Sequence, residues 1–221
     1  MIRRNCQRGF TLVELMLGMT VSLVVLASAL ALFSVSASVG GDHLKKSYLR
    51  SQLNLMTTTI SDEITRAGYC FDCDSSNIFI RTDGLGERSA ILIDDSATLT
   101  SGDCILFAYN HDNRNKPVAP LDKDDAKGFR LGTDPNNKSV IEVYENWNDI
   151  ANWSCDSSHW RDMTYDRLVI TTLAFERQSL AVIGSGNKSQ SVQVTIGAEL
   201  RTDTSIKDEV SVTVNIPNVD G

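Results

Sequence analysis

A single carboxylate, Glu14, lies in an otherwise uncharged segment that runs from residue 10 to residue 41. A charge at the centre of a membrane-spanning helix costs roughly 2.5–3.5 kcal/mol, so an acidic residue in such a segment indicates a function. A carboxylate in a low-dielectric setting needs a nearby cation, because the attraction between opposite charges grows as the surroundings become less polar. The chemistry expected of Glu14 is therefore recognition of a positive charge.

The residues around Glu14 form a recognisable motif. The run Gly-Phe-Thr-Leu-Val-Glu occupies positions 9–14 and follows a basic leader. It resembles the type III signal of type IV prepilins, and this resemblance implies that a membrane peptidase cuts between Gly9 and Phe10. Phe10 would then become the N-methylated first residue of the mature chain, and Glu14 its fifth. The new amine on a neighbouring subunit is the cation that Glu14 would meet, so this carboxylate would set the register of filament assembly.

Three other interpretations of the segment stay open. An ordinary secretory signal also has a basic start and an apolar core, here with small residues suited to cleavage near positions 29 and 31, but Glu14 is out of place in such a core. A plain single-pass anchor with an incidental glutamate is the second. Twin-arginine export is the third, although Arg3 and Arg4 lack the surrounding residues of that signal and lie very close to the start.

Length and charge limit the function further. A chain of 221 residues has room for one globular domain beyond a membrane helix. The formal net charge is −7, and removal of a leader with three arginines leaves 18 basic and 28 acidic residues, a balance of −10. Nucleic-acid binding is therefore not indicated. The basic start predicts a single pass through the inner membrane with the carboxyl-terminal domain in the periplasm.

The number of cysteines is consistent with a domain in the periplasm. Cys6 belongs to the leader, which leaves Cys70, Cys73, Cys104 and Cys155. An even number in an oxidising compartment favours two disulfides over free thiols. Four cysteines allow three connectivities, and among these we favour Cys70–Cys73 together with Cys104–Cys155.

A thiol or metal site is the alternative use of these residues. The Cys-x-x-Cys pattern at 70–73 is typical of redox dithiols, but those lie at a helix N-terminus, whereas this pair follows a helix C-terminus. Cys155, His111 and His159 are available as zinc ligands, yet their spacing matches no closed motif. We expect neither a metal nor a cofactor.

Other candidate residues favour ordinary structural roles. The histidines at 43, 111 and 159 have no nucleophile arrangement that indicates a catalytic triad, so we expect no enzyme. Asp122, Asp124 and Asp125, with Asp112 nearby, lack the twelve-residue calcium-loop pattern and are interpreted as a solvated acidic loop.

One long helix should carry Glu14. No proline occurs from residue 10 to residue 67, and the apolar spacing is helical. We expect a membrane or filament-core helix over 10–41, a bend or short unwinding at Gly40 and Gly41, and an amphipathic stalk over 42–68 that ends near Gly68. The apolar face of the stalk is formed by Leu49, Leu53, Met56, Ile60, Ile64 and Ala67.

The remainder, 69–221, should be a β-rich periplasmic domain. Strands are predicted at 77–81, 89–94, 103–109, 139–145, 168–176, 191–201 and 209–216, where β-branched and aromatic residues concentrate. In the last of these Val210, Val212, Val214 and Ile216 should face one side. Short polar links at 184–187 and 202–207 indicate antiparallel hairpins, and one sheet face should pack on the stalk. The expected fold class is α+β.

Two long segments are predicted to be loops, 110–128 and 146–164. Their role is open. The second contains Trp147, Trp153 and Trp160, which we interpret as a small hydrophobic core; an exposed tryptophan patch would instead be a partner surface.

A second resemblance narrows the family. The run Ala67-Gly68-Tyr69-Cys70 at the stalk end, together with the long last strands, resembles the PilW-type minor pilins. That family implies a non-enzymatic subunit of a tip-associated minor-pilin complex, which primes type IV pilus assembly and supports adhesion, twitching motility or DNA uptake. Its implied partners are other minor and major pilins, the prepilin peptidase, the inner-membrane assembly platform and, before assembly, the lipid membrane. A J-type minor pseudopilin of type II secretion is the close alternative, and a membrane-anchored periplasmic thiol or metal protein is the alternative of another class.

Overall fold

The computed structural model describes residues 9–73, 76–145, 153–179 and 190–219. The chain divides into two compact units, Met1–Lys45 and Lys46–Gly221. From Leu12 onward the first unit is the start of a single helix. The second contains the rest of that helix and all the strands of the described residues.

Helix α1 spans Leu12–Thr65. Its hydrogen-bonding pattern continues through Gly40 and Gly41, so the expected unwinding there is wrong. A glycine costs only about 1 kcal/mol in a helix interior, which the helical turns on either side can tolerate. The expected bend stays a prediction. The helix ends close to the expected position, and Gly68 follows with φ +75°, a conformation that favours glycine.

Eleven strands follow in the described residues. They are β1 (Arg81–Thr82), β2 (Arg88–Ser89), β3 (Ile91–Ile93), β4 (Ser101–Gly102), β5 (Cys104–Ala108), β6 (Ala126–Thr133), β7 (Ser139–Tyr144), β8 (Trp160–Asp162), β9 (Leu168–Ser179), β10 (Gln190–Leu200) and β11 (Asp203–Ile216). They form a β1-β2 pair, a four-stranded sheet in the order β11-β10-β9-β4 and a five-stranded sheet in the order β3-β5-β6-β7-β8. All pairings are antiparallel, as expected.

The core lies between the second part of α1 and these sheets. All six residues of the expected apolar face of the stalk are buried. They join one cluster with side chains from both large sheets, including Phe107, Phe175 and Val194. The helix supplies a stripe with a spacing of three and four residues, and the strands supply alternate side chains, so each element buries one face. The predicted α+β fold class is confirmed.

Five predicted strands are confirmed as β5, β7, β9, β10 and β11 with small differences at their ends. The alternation in β11 is also as predicted, since Val214 and Ile216 are buried, Val210 and Val212 are half-buried, and the intervening side chains are exposed. The link expected at 202–207 is shorter, because β11 begins at Asp203. The link at 184–187 lies outside the described residues.

Two predicted strands need correction. Of the strand expected at 77–81 only Arg81, the first residue of β1, is in a strand, because the Asn77 side chain forms a turn. Its amide nitrogen donates to the Gly68 carbonyl (2.7 Å), and its amide oxygen accepts from the Phe79 N–H (2.9 Å). The strand expected at 89–94 is split at Ala90 into β2 and β3, which pair with different strands.

Two strands occur where loops were expected. Strand β6 begins at Ala126, inside the predicted loop 110–128, and β8 lies inside the predicted loop 146–164. Gly128 and Gly132 weaken the local strand signal of β6. An added Cβ would overlap the Leu106 side chain at position 128 and the Glu142 side chain at position 132.

Candidate processing and assembly site

The start of α1 is built by a reciprocal pair of hydrogen bonds between Thr11 and Glu14. The Glu14 carboxylate accepts from the Thr11 backbone N–H and from the Thr11 hydroxyl, both at 2.9 Å. In return the Glu14 N–H donates to the Thr11 hydroxyl oxygen at 3.3 Å. This is a capping box, which uses two side chains to satisfy N–H groups that a helix start otherwise leaves unpaired. The box points the carboxylate back toward Phe10.

Thr11 is the residue whose role the sequence interpretation missed. The signal for it was present, because a threonine followed three residues later by glutamate before an apolar run is the pattern of a capping box. By sequence alone, Thr11 is only one residue of the motif at positions 9–14. In the structure it fixes the direction of the Glu14 side chain.

Gly9 and Phe10 lie just before this box and outside the helix. Phe10 is 90% exposed. A Cβ added at Gly9 would have no atom within 4 Å, and Gly9 is not in the left-handed region. In the part of the chain that the structure describes, neither packing nor backbone conformation therefore requires a glycine at position 9.

The part of α1 that carries Glu14 buries nothing. Every residue from 9 to 40 is exposed, although most are large and apolar. The helix includes a window with a mean hydropathy of 2.3, long and apolar enough to cross a membrane. Its hydroxyl groups bond to the helix itself: Thr20 donates to the Leu17 carbonyl and Ser22 to that of Gly18. Such bonds suit an apolar environment, where each polar group needs a partner.

Two small residues follow Glu14 on its face of the helix. Gly18 and Ser22 follow Glu14 at intervals of four residues, and all three line one shallow groove on the helix surface. Small residues at this spacing let two apolar helices approach closely. The carboxylate and a surface suited to helix contact therefore share one face.

The four cysteines of the domain form two disulfides, in the pairing that the sequence analysis favoured. Cys70 is bonded to Cys73 with their Cα atoms 5.9 Å apart, and Cys104 to Cys155 with theirs 6.0 Å apart. The described residues contain no group of three or more histidine, cysteine, aspartate or glutamate side chains that could hold a metal ion.

The Cys70–Cys73 turn also anchors the segment that follows β5. The Cys70 carbonyl accepts from the Asn110 side chain at 3.2 Å, and the Asp72 carbonyl accepts from the Lys116 N–H at 3.0 Å. The first disulfide therefore lies at a junction between the end of the stalk and the loop over residues 110–125.

That loop is organised around Arg114. Its guanidinium donates to Asp112 at 3.0 Å, to Asp122 at 2.8 Å and to Asp125. The interpretation of these aspartates as a solvated loop is wrong for Asp125, whose side chain is fully buried. A buried carboxylate needs a charged or hydrogen-bonding partner, and Arg114 supplies the positive charge at the centre of the cluster.

Trp153 and Trp160 belong to a local core, as predicted. Both are half-buried, and each ring is covered by a guanidinium: Arg81 lies 4.5 Å from the Trp153 ring and Arg130 lies 4.7 Å from the Trp160 ring. Both rings pack beside the Cys104–Cys155 disulfide. Trp147 lies outside the described residues.

A polar cluster that the sequence did not suggest connects the stalk to the five-stranded sheet. The Tyr109 hydroxyl donates to the Glu63 carboxylate at 2.7 Å, and Arg66 and Lys127 lie 5.8 and 5.6 Å from the Tyr109 ring. Burial and the hydrogen bond to Glu63 raise the pKa of Tyr109 to about 12. Tyr109 and Glu63 line a cleft of about 390 Å³ between the helix and the sheet.

An apolar helix that follows a glycine–phenylalanine pair and has a glutamate in its first turn, together with a stalk packed on antiparallel sheets, defines the class of pilin-like proteins. The model of the prokaryotic N-terminal methylation motif matches residues 4–30, which include Gly9, Phe10 and Glu14. The apolar helix and this motif are consistent with anchoring in the inner membrane.

The chain belongs to the family of prepilin peptidase-dependent protein B, whose model matches residues 42–216. One relative is the prepilin peptidase-dependent protein B of Escherichia coli K12, which is 23% identical over 178 residues that cover 79% of this chain and 80% of the relative. No solved structure matches the chain. Family and relative are pilin-related by name, and both names refer to dependence on the prepilin peptidase.

Proposed function

We propose that this chain is a minor pilin of the PilW type, cut between Gly9 and Phe10, that primes type IV pilus assembly within a tip-associated complex of minor pilins. It acts as a structural subunit and not as an enzyme. The observation that carries the proposal is the capped Glu14 carboxylate at the start of a helix whose apolar surface is exposed throughout residues 9–40. Such a surface has to be covered by lipid before assembly and by other helices afterwards.

Gly9 supports the processing step. Since nothing in the described residues requires glycine there, we attribute the glycine to an enzyme that binds the exposed segment around residues 9 and 10. Hydrolysis of the Gly9–Phe10 peptide bond leaves a carboxylate on the released leader and a free amine on Phe10. That amine is the acceptor for N-methylation.

The capping box supports the assembly step. Thr11 holds the Glu14 carboxylate in the first turn of the helix, at the positive end of the helix dipole. In lipid this charge stays costly until a full cation meets it. The amine of a neighbouring subunit is such a cation, and the face with Gly18 and Ser22 lets that subunit's helix come close enough to deliver it.

The domain supports the proposed location. A stalk and sheet core held by two disulfides suits an oxidising compartment, so we place residues 42–219 in the periplasm before assembly and on the pilus afterwards. Residues 10–41 form the membrane and filament-core segment, and residues 1–9 the leader. The partners proposed are other minor and major pilins, the prepilin peptidase and the assembly platform.

The test uses Glu14→Val and Glu14→Gln in cells that make pili. Both variants should be processed and inserted normally, because removal of a charge makes the helix more apolar, yet both should enter sheared pili and the minor-pilin complex poorly. Met16→Val, an apolar change close by on the same helix, should assemble like wild type. The measurement is the amount of subunit co-purified with sheared pili, relative to its amount in the inner membrane.

Two outcomes would overturn parts of the proposal. Full incorporation of both Glu14 variants would exclude Glu14 as the assembly residue. Co-purification of the wild-type chain with secretion pseudopilins, and absence from the minor-pilin complex, would assign the chain to type II secretion instead.

A further inference from the structure

An open pocket of about 290 Å³ lies where the stalk meets the loop that precedes β9. Tyr48 and Gln52 line it from the stalk, and Tyr165 and Arg167 line it from the loop. Each of these four side chains can donate a hydrogen bond. Asp166, although it lies between the two loop residues in sequence, does not line the pocket. The lining therefore carries one positive charge and no negative charge, in a chain whose net charge is −7.

The loop side of the pocket is held in place by its backbone. The Tyr165 carbonyl accepts from the Leu168 N–H at 2.9 Å, and the Arg167 carbonyl accepts from the Arg201 N–H at 2.8 Å. These bonds tie the loop to the start of β9 and to the end of β10. The two side chains of the loop therefore leave a fixed backbone on the side of the stalk.

Arg167 differs from most arginines of the domain. Six others pair with a carboxylate: Arg50, Arg66, Arg114, Arg130, Arg161 and Arg201. In the part of the chain that the structure describes, the Arg167 guanidinium forms neither an ion pair nor a hydrogen bond. Its positive charge is available to a ligand.

The Tyr48 hydroxyl is also without a partner. It is buried, and no described residue forms a hydrogen bond with it. Burial and the nearby Tyr165 raise the pKa of Tyr48, whereas Arg167 lowers it, so the hydroxyl lies close to both loop residues. Buried polar groups are normally paired, so this hydroxyl needs an acceptor, and the pocket that Tyr48 lines gives one room to approach.

These groups define the chemistry of the ligand. Several donors, one of them a guanidinium, match an anion that has several acceptor oxygens and no donor of its own. A phosphate diester is such an anion, and the planar guanidinium can donate to two of its oxygens at once. Tyr165 is 55% exposed beside the pocket, and tyrosine is enriched where a membrane meets water, because its ring is apolar and its hydroxyl polar.

The position along the chain indicates the source of the phosphate. The helical part of the uncharged segment, from Leu12 to Gly41, is about 45 Å long, whereas a hydrocarbon core is about 30 Å thick. A helix that is too long for the bilayer tilts, which lowers one side of the following residues toward the headgroups. Tyr48 follows Gly41 by only seven residues, about 10 Å along a helix, with Lys45 and Lys46 between them. The headgroup layer is itself about 5–8 Å thick, so the pocket is within reach of it.

We infer that the pocket of Tyr48, Gln52, Tyr165 and Arg167 binds the phosphate group of a membrane lipid in the periplasmic leaflet before assembly. Arg167 supplies the charge, Gln52 and the two hydroxyls supply further donors, and the Tyr165 ring lies among the headgroups. The contact holds the domain against the membrane until the subunit leaves the bilayer. The inference rests on the proposed function, because it takes residues 10–41 as the membrane segment.

The test is lipid binding to the full-length, unassembled chain in nonionic detergent, measured by native mass spectrometry. The probe is dihexanoylphosphatidylglycerol, and its control is dihexanoylglycerol, which has the same acyl chains and no phosphate. The first should bind in a saturable manner with one molecule per chain, and the second should bind at least about tenfold more weakly. Inorganic phosphate is added as a competitor and should not displace the lipid at an equal concentration.

Two variants locate the site. Arg167→Gln removes the charge and keeps a hydrogen-bonding side chain, and it should weaken binding of the phospholipid about tenfold. Arg161→Gln removes the same charge from a side chain that is 70% exposed and outside the pocket, and it should bind like wild type. Thermal unfolding of both variants checks that the domain is folded.

The other outcomes would overturn the inference. Equal binding of the lipid without phosphate, wild-type binding by Arg167→Gln, or equal weakening by Arg161→Gln would exclude a phosphate site in this pocket. Displacement by inorganic phosphate at an equal concentration would assign the pocket to free phosphate. Wild-type lipid binding by Arg167→Gln, together with its loss from the minor-pilin complex, would mean that another subunit occupies the pocket.

The lipid test and the Glu14 test can fail separately. Lipid binding is measured without assembly, so its failure leaves the assembly test of Glu14 untouched. Full incorporation of the Glu14 variants, with lipid binding that still depends on Arg167, would overturn the assembly role of Glu14 and keep the lipid site.

Discussion

The two parts of α1 have the same secondary structure and a similar supply of apolar residues, yet they use those residues in opposite ways. In the part up to residue 40, every side chain from Leu12 onward is exposed. In the part from residue 46 onward, Leu49, Leu53, Ile60 and Ile64 are fully buried beneath the sheets. The difference lies in the pattern: apolar residues surround the first part on all sides and form a single stripe on the second.

That difference separates folding from assembly. A single stripe can be covered by one partner, and this chain provides it in its own sheets. A helix that is apolar all round needs cover on every side, which membrane or other helices must supply. We expect substitutions in the second part to change domain stability and substitutions in the first part to change processing and assembly.

The largest expected effect is on processing. Gly9→Leu should block removal of the leader almost completely, because the side chain would occupy the site where the peptidase binds the residue before the cut. An immunoblot should show a precursor about nine residues longer than the mature chain. Gly40→Ala, which also adds a side chain in open space, should be processed normally.

The same Gly9→Leu variant also tests whether changes at the start of the chain leave the stability of the domain unchanged. Its domain should unfold at the wild-type temperature, since a Cβ at Gly9 would meet no atom of the described residues within 4 Å. A product of normal mature size would point instead to cleavage by an ordinary signal peptidase further along the chain.

The second largest expected effect is the loss of domain stability when a disulfide is removed. Replacing Cys104 and Cys155 with serine should lower the free energy of unfolding by about 4 kcal/mol, because that bridge closes a loop with a sequence separation of 51. Replacing Cys70 and Cys73 should lower it by about 2 kcal/mol, because their separation is only 3. Denaturant unfolding in detergent without reductant measures both, with Cys6→Ser in the leader as control. Equal losses from the two bridges would contradict the loop-length argument.

The sequence could predict the helix and the long strands because their signals are periodic. The stripe from Leu49 to Ala67 recurs every three or four residues, and β11 alternates over its last seven residues. Both patterns depend on neighbours within the same element, so they can be recognised in the sequence before the fold is known. The motif of Gly9, Phe10 and Glu14 is local in the same sense.

The parts that were missed depend on contacts between distant residues. The Leu106 and Glu142 side chains approach the backbone of β6 at Gly128 and Gly132, which no local pattern reveals. The Asn77 turn forms because the Gly68 carbonyl needs a donor. Likewise, Arg114 lies close to Asp125 only after the loop has folded.

A third test replaces leucine with alanine in each of the two parts of α1. Leu53→Ala should lower domain stability by about 3 kcal/mol, within the usual range for a fully buried leucine. Leu55→Ala, at a site 61% exposed, and Leu23→Ala, at 66%, should each change it by less than about 0.5 kcal/mol. Denaturant unfolding of the full chain in detergent gives all three values. A loss at Leu23 as large as that at Leu53 would mean that the first part of the helix supports the domain after all.

The smallest expected effect is at the Tyr109–Glu63 contact between stalk and sheet. Tyr109→Phe removes a 2.7 Å hydrogen bond and should lower the free energy of unfolding by about 1 kcal/mol at pH 7. Tyr165→Phe, at a side chain 55% exposed, should change it by less than about 0.5 kcal/mol.

The pH dependence sharpens this last test. Burial and the bond to Glu63 raise the pKa of Tyr109 to about 12, so the native state favours the neutral phenol. In the unfolded chain a tyrosine has a pKa near 10, so this contribution is complete below about pH 10 and is lost as the pH rises toward 12. The stability difference between wild type and Tyr109→Phe should therefore narrow over that interval in denaturant titrations. A difference that stays constant or widens would show that Tyr109 ionises as easily in the folded domain as in the unfolded chain, and would remove the hydrogen bond to Glu63 as a link between the stalk and the sheet.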